Sequence, residues 1–362
     1  RVQETANGLR KLSFGIRNQF TVTLSTLEAA LELRDELLGH QKEFYVEALQ
    51  LAEKDQTKAY IFGNEDNKLQ SRFMAELLLQ HKIDVFQNEK TITKNGITYL
   101  SGNSFVVPLK QKQYRLIKAV FERVSAFSDS TFYDVSTWNF PGTFNVSFDE
   151  ITSLKEIQFS GQQPDLKITG KIIGGKSNVG YLFKWNEYTS PKALYELQSA
   201  GLTARVATEE FSFETDGKLT DFTYGTILIK VNDQRLNEAQ IFNVTEKVAR
   251  ENGIDFYSLT TGLSQKGIDL GSNSFVKVSK PVILEFVGGS TGSGSAGEIW
   301  HLFDQRYKIP VTIAETNSLS SIDISKYSTI ILPEGSYREW TSNEIQKIKT
   351  WTQEGGILIA TQ

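Results

Sequence analysis

The sequence predicts a multi-domain α/β protein, with parallel or mixed sheets built from repeated strand–helix–strand units and a long helix near the N-terminus. Two observations lead there. A short apolar run, a polar loop, an amphipathic stretch and a second apolar run recur five times, the order that generates βαβ units with right-handed crossovers. The apolar runs are continuous rather than alternating, which suits strands covered on both faces. With 362 residues the chain is also too long for one small core, so two or three domains are expected.

Residues 25–52, STLEAALELRDELLGHQKEFYVEALQLA, read as one amphipathic helix. Ser25 or Thr26 is the expected cap, with Glu28 closing a capping box. At about 100° per residue, Leu27, Leu31, Leu38, Tyr45 and Leu49 share one stripe. That stripe is expected to pack on residues 1–24 or on the region 58–110.

The first strand–helix–strand unit follows as KAYIFGN (58–64), SRFMAELLLQHK (71–82) and IDVFQ (83–87). The second is VGYLFKW (179–185), SPKALYELQSAG and LTARVAT; the third is GTILIKV (225–231), NEAQIFNVTEKVARENG and IDFYSLT. PVILEFV (281–287), AGEIWHLFDQRYK and IPVTIAE make the fourth. YSTIILPEG (327–335), TSNEIQKIKTWTQEGG and ILIAT make the fifth.

Between the first and second units the texture changes. FYDVSTWNFP (132–141) reads as an inter-domain plug of buried aromatics, an aromatic groove for peptide or sugar being the alternative. The polar, glycine-rich stretch 158–178 marks a boundary near residue 175. The expected divisions are 1–52, 53–175, 176–280 and 281–362.

Composition excludes several functions. A net charge of −4 argues against a general nucleic-acid binder, which needs a basic surface. No run reaches the roughly 18 apolar residues of a membrane span. The absence of cysteine removes disulfides, thiolate zinc sites and cysteine nucleophiles together. His40 and Glu43 spell His-x-x-Glu, the spacing of two zinc ligands in one class of peptidases. They project opposite the apolar stripe, among Glu32, Glu36 and Glu47, and a zinc site needs a third convergent ligand. The other histidines, His81 and His301, belong to separate segments. The pair reads as a solvated acidic face.

GGSTGSGSAGEIW (288–300) runs from a strand into a helix, where phosphate-binding loops sit. Gly292, Gly294 and Gly297 fit the G-x-G-x-x-G spacing of a dinucleotide fold, and Glu315 ends the next strand where a ribose-binding acid belongs. No Lys-Ser/Thr pair follows, so a nucleoside-triphosphate loop is excluded. The loop is expected to be exposed and mobile, with the helix starting near Glu298, whose carboxylate would repel a phosphate. ILPEGSY (331–337) reads as a strand-end turn, and Ser336 has no placed histidine to form a triad.

Several strings become familiar together: ETANGLRKLSFGIRNQF, TLEAALELRDELLGHQKEFY, GNSFVVPLKQKQYRLIKAVFE and FYDVSTWNFP. They resemble a bacterial branch of the zinc metallocarboxypeptidases related to carboxypeptidase A. IDLGSNSF, GEIWHLFDQRYKIPVT, YSTIILPEGSY and WTQEGGILIAT resemble the accessory region C-terminal to that catalytic domain, similar to a class I glutamine amidotransferase-like fold with its nucleophile absent. The resemblance implies zinc held by His-x-x-Glu and a later histidine, with a glutamate general base; no residue here matches those positions. It implies that 1–52 is the last strand and closing helix of the peptidase domain, and that the general base lies before Arg1. The chain is therefore expected to be an internal, non-catalytic piece of a longer periplasmic or secreted protein. That parent would hold the zinc and cleave a peptide substrate, and the expected partner is its upstream peptidase domain in cis. The alternative is a small-molecule or nucleotide-binding α/β module.

Overall fold

A computed structural model describes residues 2–5, 8–64, 68–123 and 139–361. Residues 132–138 of the aromatic stretch FYDVSTWNFP lie outside the described residues, so its reading as plug or groove lies there too. The chain forms two compact units, Arg1–Leu166 and Lys167–Gln362. It is a multi-domain α/β fold with parallel and mixed sheets.

The first unit opens with an antiparallel hairpin of β1 (Val2–Thr5) and β2 (Gly8–Lys11), then two helices, α1 (Leu12–Glu32) and α2 (Arg34–Lys54). The helix is longer than its sequence signals suggest. Thr26 is not a cap: it lies inside α1, and its hydroxyl donates to the Val22 carbonyl four residues back at 2.8 Å. The helix breaks at Leu33 (φ −91°, ψ 10°), although Leu33 N–H still donates to Ala29 and Leu37 N–H to Leu33.

The expected packing of the leucine stripe is corrected. Leu27, Leu31 and Leu38 are 64%, 75% and 53% exposed. α1, all of it described, buries no residue, and α2 buries only Ala48 and Ala52. The physical reason is that the preceding residues form a two-stranded hairpin too small to cover α1. The C-terminal half of α2 meets the body of the unit, where Arg115 stacks on Phe44 at 4.4 Å and pairs with Glu47 at 3.1 Å.

That body contains β3 (Ala59–Gly63), α3 (Lys68–Gln80), β4 (Phe86–Gln87), β5 (Ile92–Lys94), β6 (Ile97–Tyr99), β7 (Ser104–Pro108), α4 (Tyr114–Val120), α5 (Phe140–Thr143) and β8 (Phe148–Ile151). Its four-stranded sheet runs β4-β7-β3-β8, antiparallel throughout. β3 and β4 are therefore parallel to one another, as their connecting helix requires, but β7 is inserted between them. Alternate side chains of β3 enter opposite cores. Tyr60 and Phe62 join Met74, Leu78 and Phe121, while Ala59 and Ile61 join Val106 and Tyr99.

The second unit begins with β9 (Ile172–Ile173), β10 (Gly180–Phe183), α6 (Ser190–Ser199), β11 (Ala204–Ala207), the hairpin β12 (Phe211–Thr215) and β13 (Lys218–Phe222), β14 (Ile227–Lys230), α7 (Glu238–Asn252), β15 (Phe256–Leu259), β16 (Lys266–Gly267) and β17 (Phe275–Val278). Its main sheet is β17-β11-β14-β10-β15-β9. The inner order β11-β14-β10-β15, antiparallel at every step, is the split βαβ of a ferredoxin-like motif. Again each strand–helix–strand pair is parallel with one strand inserted. Asn237 and Gln240 form a capping box at the start of α7, and Gly253 ends it at φ +67°.

The last part is β18 (Ile283–Val287), β19 (Ser290–Thr291), α8 (Ser293–Trp300) running into a π-helical turn at His301–Arg306, β20 (Val311–Glu315), β21 (Thr329–Leu332), β22 (Gly335–Ser336), α9 (Ser342–Gln353) and β23 (Ile357–Ala360). Here the sheet, β20-β18-β21-β23, is parallel throughout. Leu284, Phe286 and Ile330 pack on α9 through Ile348 and Trp351. Ile283 and Ile331 face the other way, toward Ile299 and Phe303. β23 reads as a covered strand yet lies at the edge with every residue exposed.

Candidate functional site

In the parallel sheet the chain leaves β18 toward β20 and then returns past β18 to β21. The connections from β18 and β21 thus diverge at their carboxyl ends, the switch point where ligands bind in open α/β sheets. Two loops meet there. β19 and β22 pair through Ser290 with Ser336 and Thr291 with Gly335, and a β-carbon on Gly335 would stand 2.6 Å from Thr291 Cα.

The glycines that geometry demands are not the ones the spacing singled out. Gly288 (φ +81°) and Gly289 (φ +59°) make the left-handed turn out of β18. A β-carbon on Gly288 would overlap Glu315 Oε2, so the acid at the end of β20 rests directly against this turn. A β-carbon on Gly289 would stand 2.7 Å from Glu339 Oε1 and 2.9 Å from Thr316 Oγ1. Gly292 is the N-cap of α8, and Gly294 and Gly297 lie inside that helix. Among the described residues, no atom comes within 4 Å of where a β-carbon would stand on either of those two. The close helix–strand approach that the third glycine of a dinucleotide fingerprint serves is missing.

The expectation of a free loop up to Gly297 is corrected as well. The helix starts at Ser293, because Gly292 N–H donates to the Glu334 carbonyl at 2.8 Å and fixes the entry. Glu298 therefore falls beyond the first turn. The carboxylate near the helix start is that of Glu334, which accepts from Ser295 Oγ at 3.2 Å. A bound phosphate would meet this negative charge where it needs bare amides.

Two further acids complete the site. Glu339 accepts from the Thr316 hydroxyl at 2.8 Å, and Trp340 Nε1–H donates to the Thr316 carbonyl at 2.9 Å. Glu285, in the middle of β18, is fully buried, and neither carboxylate oxygen has a hydrogen-bond partner among the described residues. Burial pushes its pKa up to about 7. Tyr337, after β22, donates to the Pro333 carbonyl at 2.7 Å. Burial, and then the charge of Glu285, push its phenol up to about 12. Among the described residues none of Glu285, Glu315, Glu334 and Glu339 sits in an ion pair. The exposed carboxylates of Glu315, Glu334 and Glu339 disfavour an anion here. Glu285 was visible in the sequence as one acid in the apolar run ILEFV. Glu334 and Glu339 carried no local signal.

The first unit holds a cavity of about 820 Å³. Tyr60 and Phe121, stacked at 4.5 Å, and Phe148 form its aromatic side. Several of its charged groups already have partners. Lys118 pairs with Asp55 at 3.1 Å, and Arg123 donates to the Phe148 carbonyl at 2.7 Å. Asp149 accepts from Tyr99 at 2.9 Å and from Asn95 at 2.7 Å. Ser336, on β22, lies in the loop ladder.

His40 and Glu43 both lie exposed on α2, and among the described residues no three His, Asp or Glu side chains come together closely enough to hold a metal. No described helix is long and apolar enough to cross a membrane. No family model, curated protein or solved structure matches this chain.

Proposed function

We propose that this chain is the non-catalytic C-terminal portion of a zinc carboxypeptidase-like protein, whose N-terminal residues 1–52 close the peptidase domain and whose remainder supports or gates it. In this reading zinc binding and hydrolysis of C-terminal peptide bonds belong to that domain, and the protein acts in the periplasm or outside the cell. The quoted strings that resemble the closing segment of such a domain support it.

One observation favours it above the alternative: α1 is built to be covered and is bare. Its 21 residues include only three ionisable side chains, Arg17, Glu28 and Glu32. Ile16, Phe20, Leu24, Leu27 and Leu31 follow helical spacing, and all five are exposed. Val22, Leu33 and Leu37 border a second groove of about 540 Å³, floored by Ala29 and Ala30. A helix apolar on most of its circumference belongs in a core. Covering each large side chain is worth roughly 1.5–3 kcal/mol. The peptidase domain in cis is the occupant this reading assigns.

The test compares amide exchange in residues 12–32 for this chain alone and for a polypeptide extended through the upstream domain. Strong protection of α1 only in the extended protein supports the proposal. Equal, fast exchange in both would reject it. The second reading, a small-molecule module, rests on the switch-point position of the loops, and the exposed carboxylates of Glu315, Glu334 and Glu339 restrict it to ligands without negative charge.

A further inference from the structure

We infer that Glu285 is a proton-operated latch holding the α8–π segment, residues 293–306, onto the parallel sheet. The inference stands on where this carboxylate sits. β18 is one of the two inner strands, and its alternation puts Leu284 and Phe286 on the α9 face. Glu285 shares the opposite face with Ile283, whose neighbours are Ile299 and Phe303 of the α8–π segment. In register it lies between Ile313 and Ile331, so its flanks are apolar as well.

A buried carboxyl with no donor is tolerable only when protonated, since an unpaired charge in such a place costs far more than a neutral acid. The charged and titratable groups on the surrounding elements do not relieve it. From the segment itself these are Glu298, His301 and Arg306, which are exposed, and Asp304, which is half-buried; Tyr195 and Tyr307 pack in the same apolar cluster as Ile283. Glu315 at the end of β20 and Glu334 after β21 are exposed acids. Tyr337 is the group that feels Glu285, and its hydroxyl already donates to Pro333.

The direction of the switch follows. The folded pKa is raised above the unfolded value, so the stabilisation is complete below about 4.5 and declines as pH rises toward about 7. Above that, the ionised carboxylate reaches water only if the segment covering it opens. The segment suits such opening. It starts at a cap without a side-chain hydrogen bond and passes into a π-helical turn, a less regular geometry than the α-helix.

Hydrogen exchange of the full chain at pH 5.5 and 8.5, expressed as protection factors, tests this. α9, packed on the opposite face of the same sheet, serves as the internal reference. Protection of 293–306 should fall by about tenfold or more relative to α9 at the higher pH, one pKa unit corresponding to a factor of ten. In Glu285→Gln the ratio should not change with pH. An unchanged ratio in the parent protein overturns the inference whether or not the variant folds. An equal fall in parent and variant overturns it too.

Discussion

The carboxylate of Glu315 lies where the β-carbon of residue 288 would be if that residue were not glycine. The end of one strand is thereby tied to the turn leaving its neighbour, and both backbone conformation and space exclude a side chain at 288. Gly288→Ala is expected to lower stability by about 1–3 kcal/mol, from the positive φ and from displacing the carboxylate. Adding Glu315→Ala should recover only part of the loss, because the backbone strain stays. Denaturant unfolding of the two variants measures both terms.

Glu334 stands at the start of α8, so dinucleotides and ATP should not bind there. Calorimetric titration with NAD, NADP and ATP is expected to show no saturable heat at micromolar ligand. Binding that is abolished by Gly292→Val would contradict this and favour a nucleotide module.

Asp149 is buried with two neutral donors, Tyr99 and Asn95. Tyr99→Phe removes one donor and leaves the carboxylate under-satisfied, at a cost of about 1–3 kcal/mol. Thermal unfolding should register the loss, while Tyr45→Phe on the exposed face of α2 should change little.

A β-carbon on Gly356 would overlap the indole of Trp351. Trp351 belongs to the core between α9 and the sheet and donates its ring N–H to the Tyr327 carbonyl at 3.3 Å. Gly356→Val should displace the ring and destabilise the second unit by about 1–3 kcal/mol. A shift in tryptophan fluorescence accompanying the lower melting temperature would confirm the cause.

Much of this fold is legible in the sequence because it is written in local pattern. The runs around Tyr60, Leu182, Leu228, Leu284 and Ile330 are strands, and each is followed by its helix and a second strand. What periodicity does not encode is which strand lies beside which. β7 enters between β3 and β4, β14 between β10 and β11, and β10 between β14 and β15, so the two strands of each of these three strand–helix–strand units are not direct neighbours, whereas in the last sheet they are. The glycine motif misled for a related reason. Gly294 and Gly297 match a spacing, whereas Gly288 and Gly289 answer a steric demand that appears only once Glu315 and Glu339 are in place. Leu33 breaks its helix although leucine is a good helix former, and nothing in the sequence nearby marks it.

The uncovered helix α1 separates two outcomes most directly. Since Leu27 and Leu31 are exposed in this chain, Leu27→Glu with Leu31→Glu should change its own unfolding free energy by no more than about 0.5 kcal/mol per site. The decisive measurement is the unfolding midpoint of the same double variant in a polypeptide that includes the proposed upstream domain. If α1 is the docking element, the midpoint there falls sharply, two buried leucines being worth roughly 3–6 kcal/mol. If the extended protein tolerates both glutamates as readily as this chain does, the proposed covering of α1 is wrong.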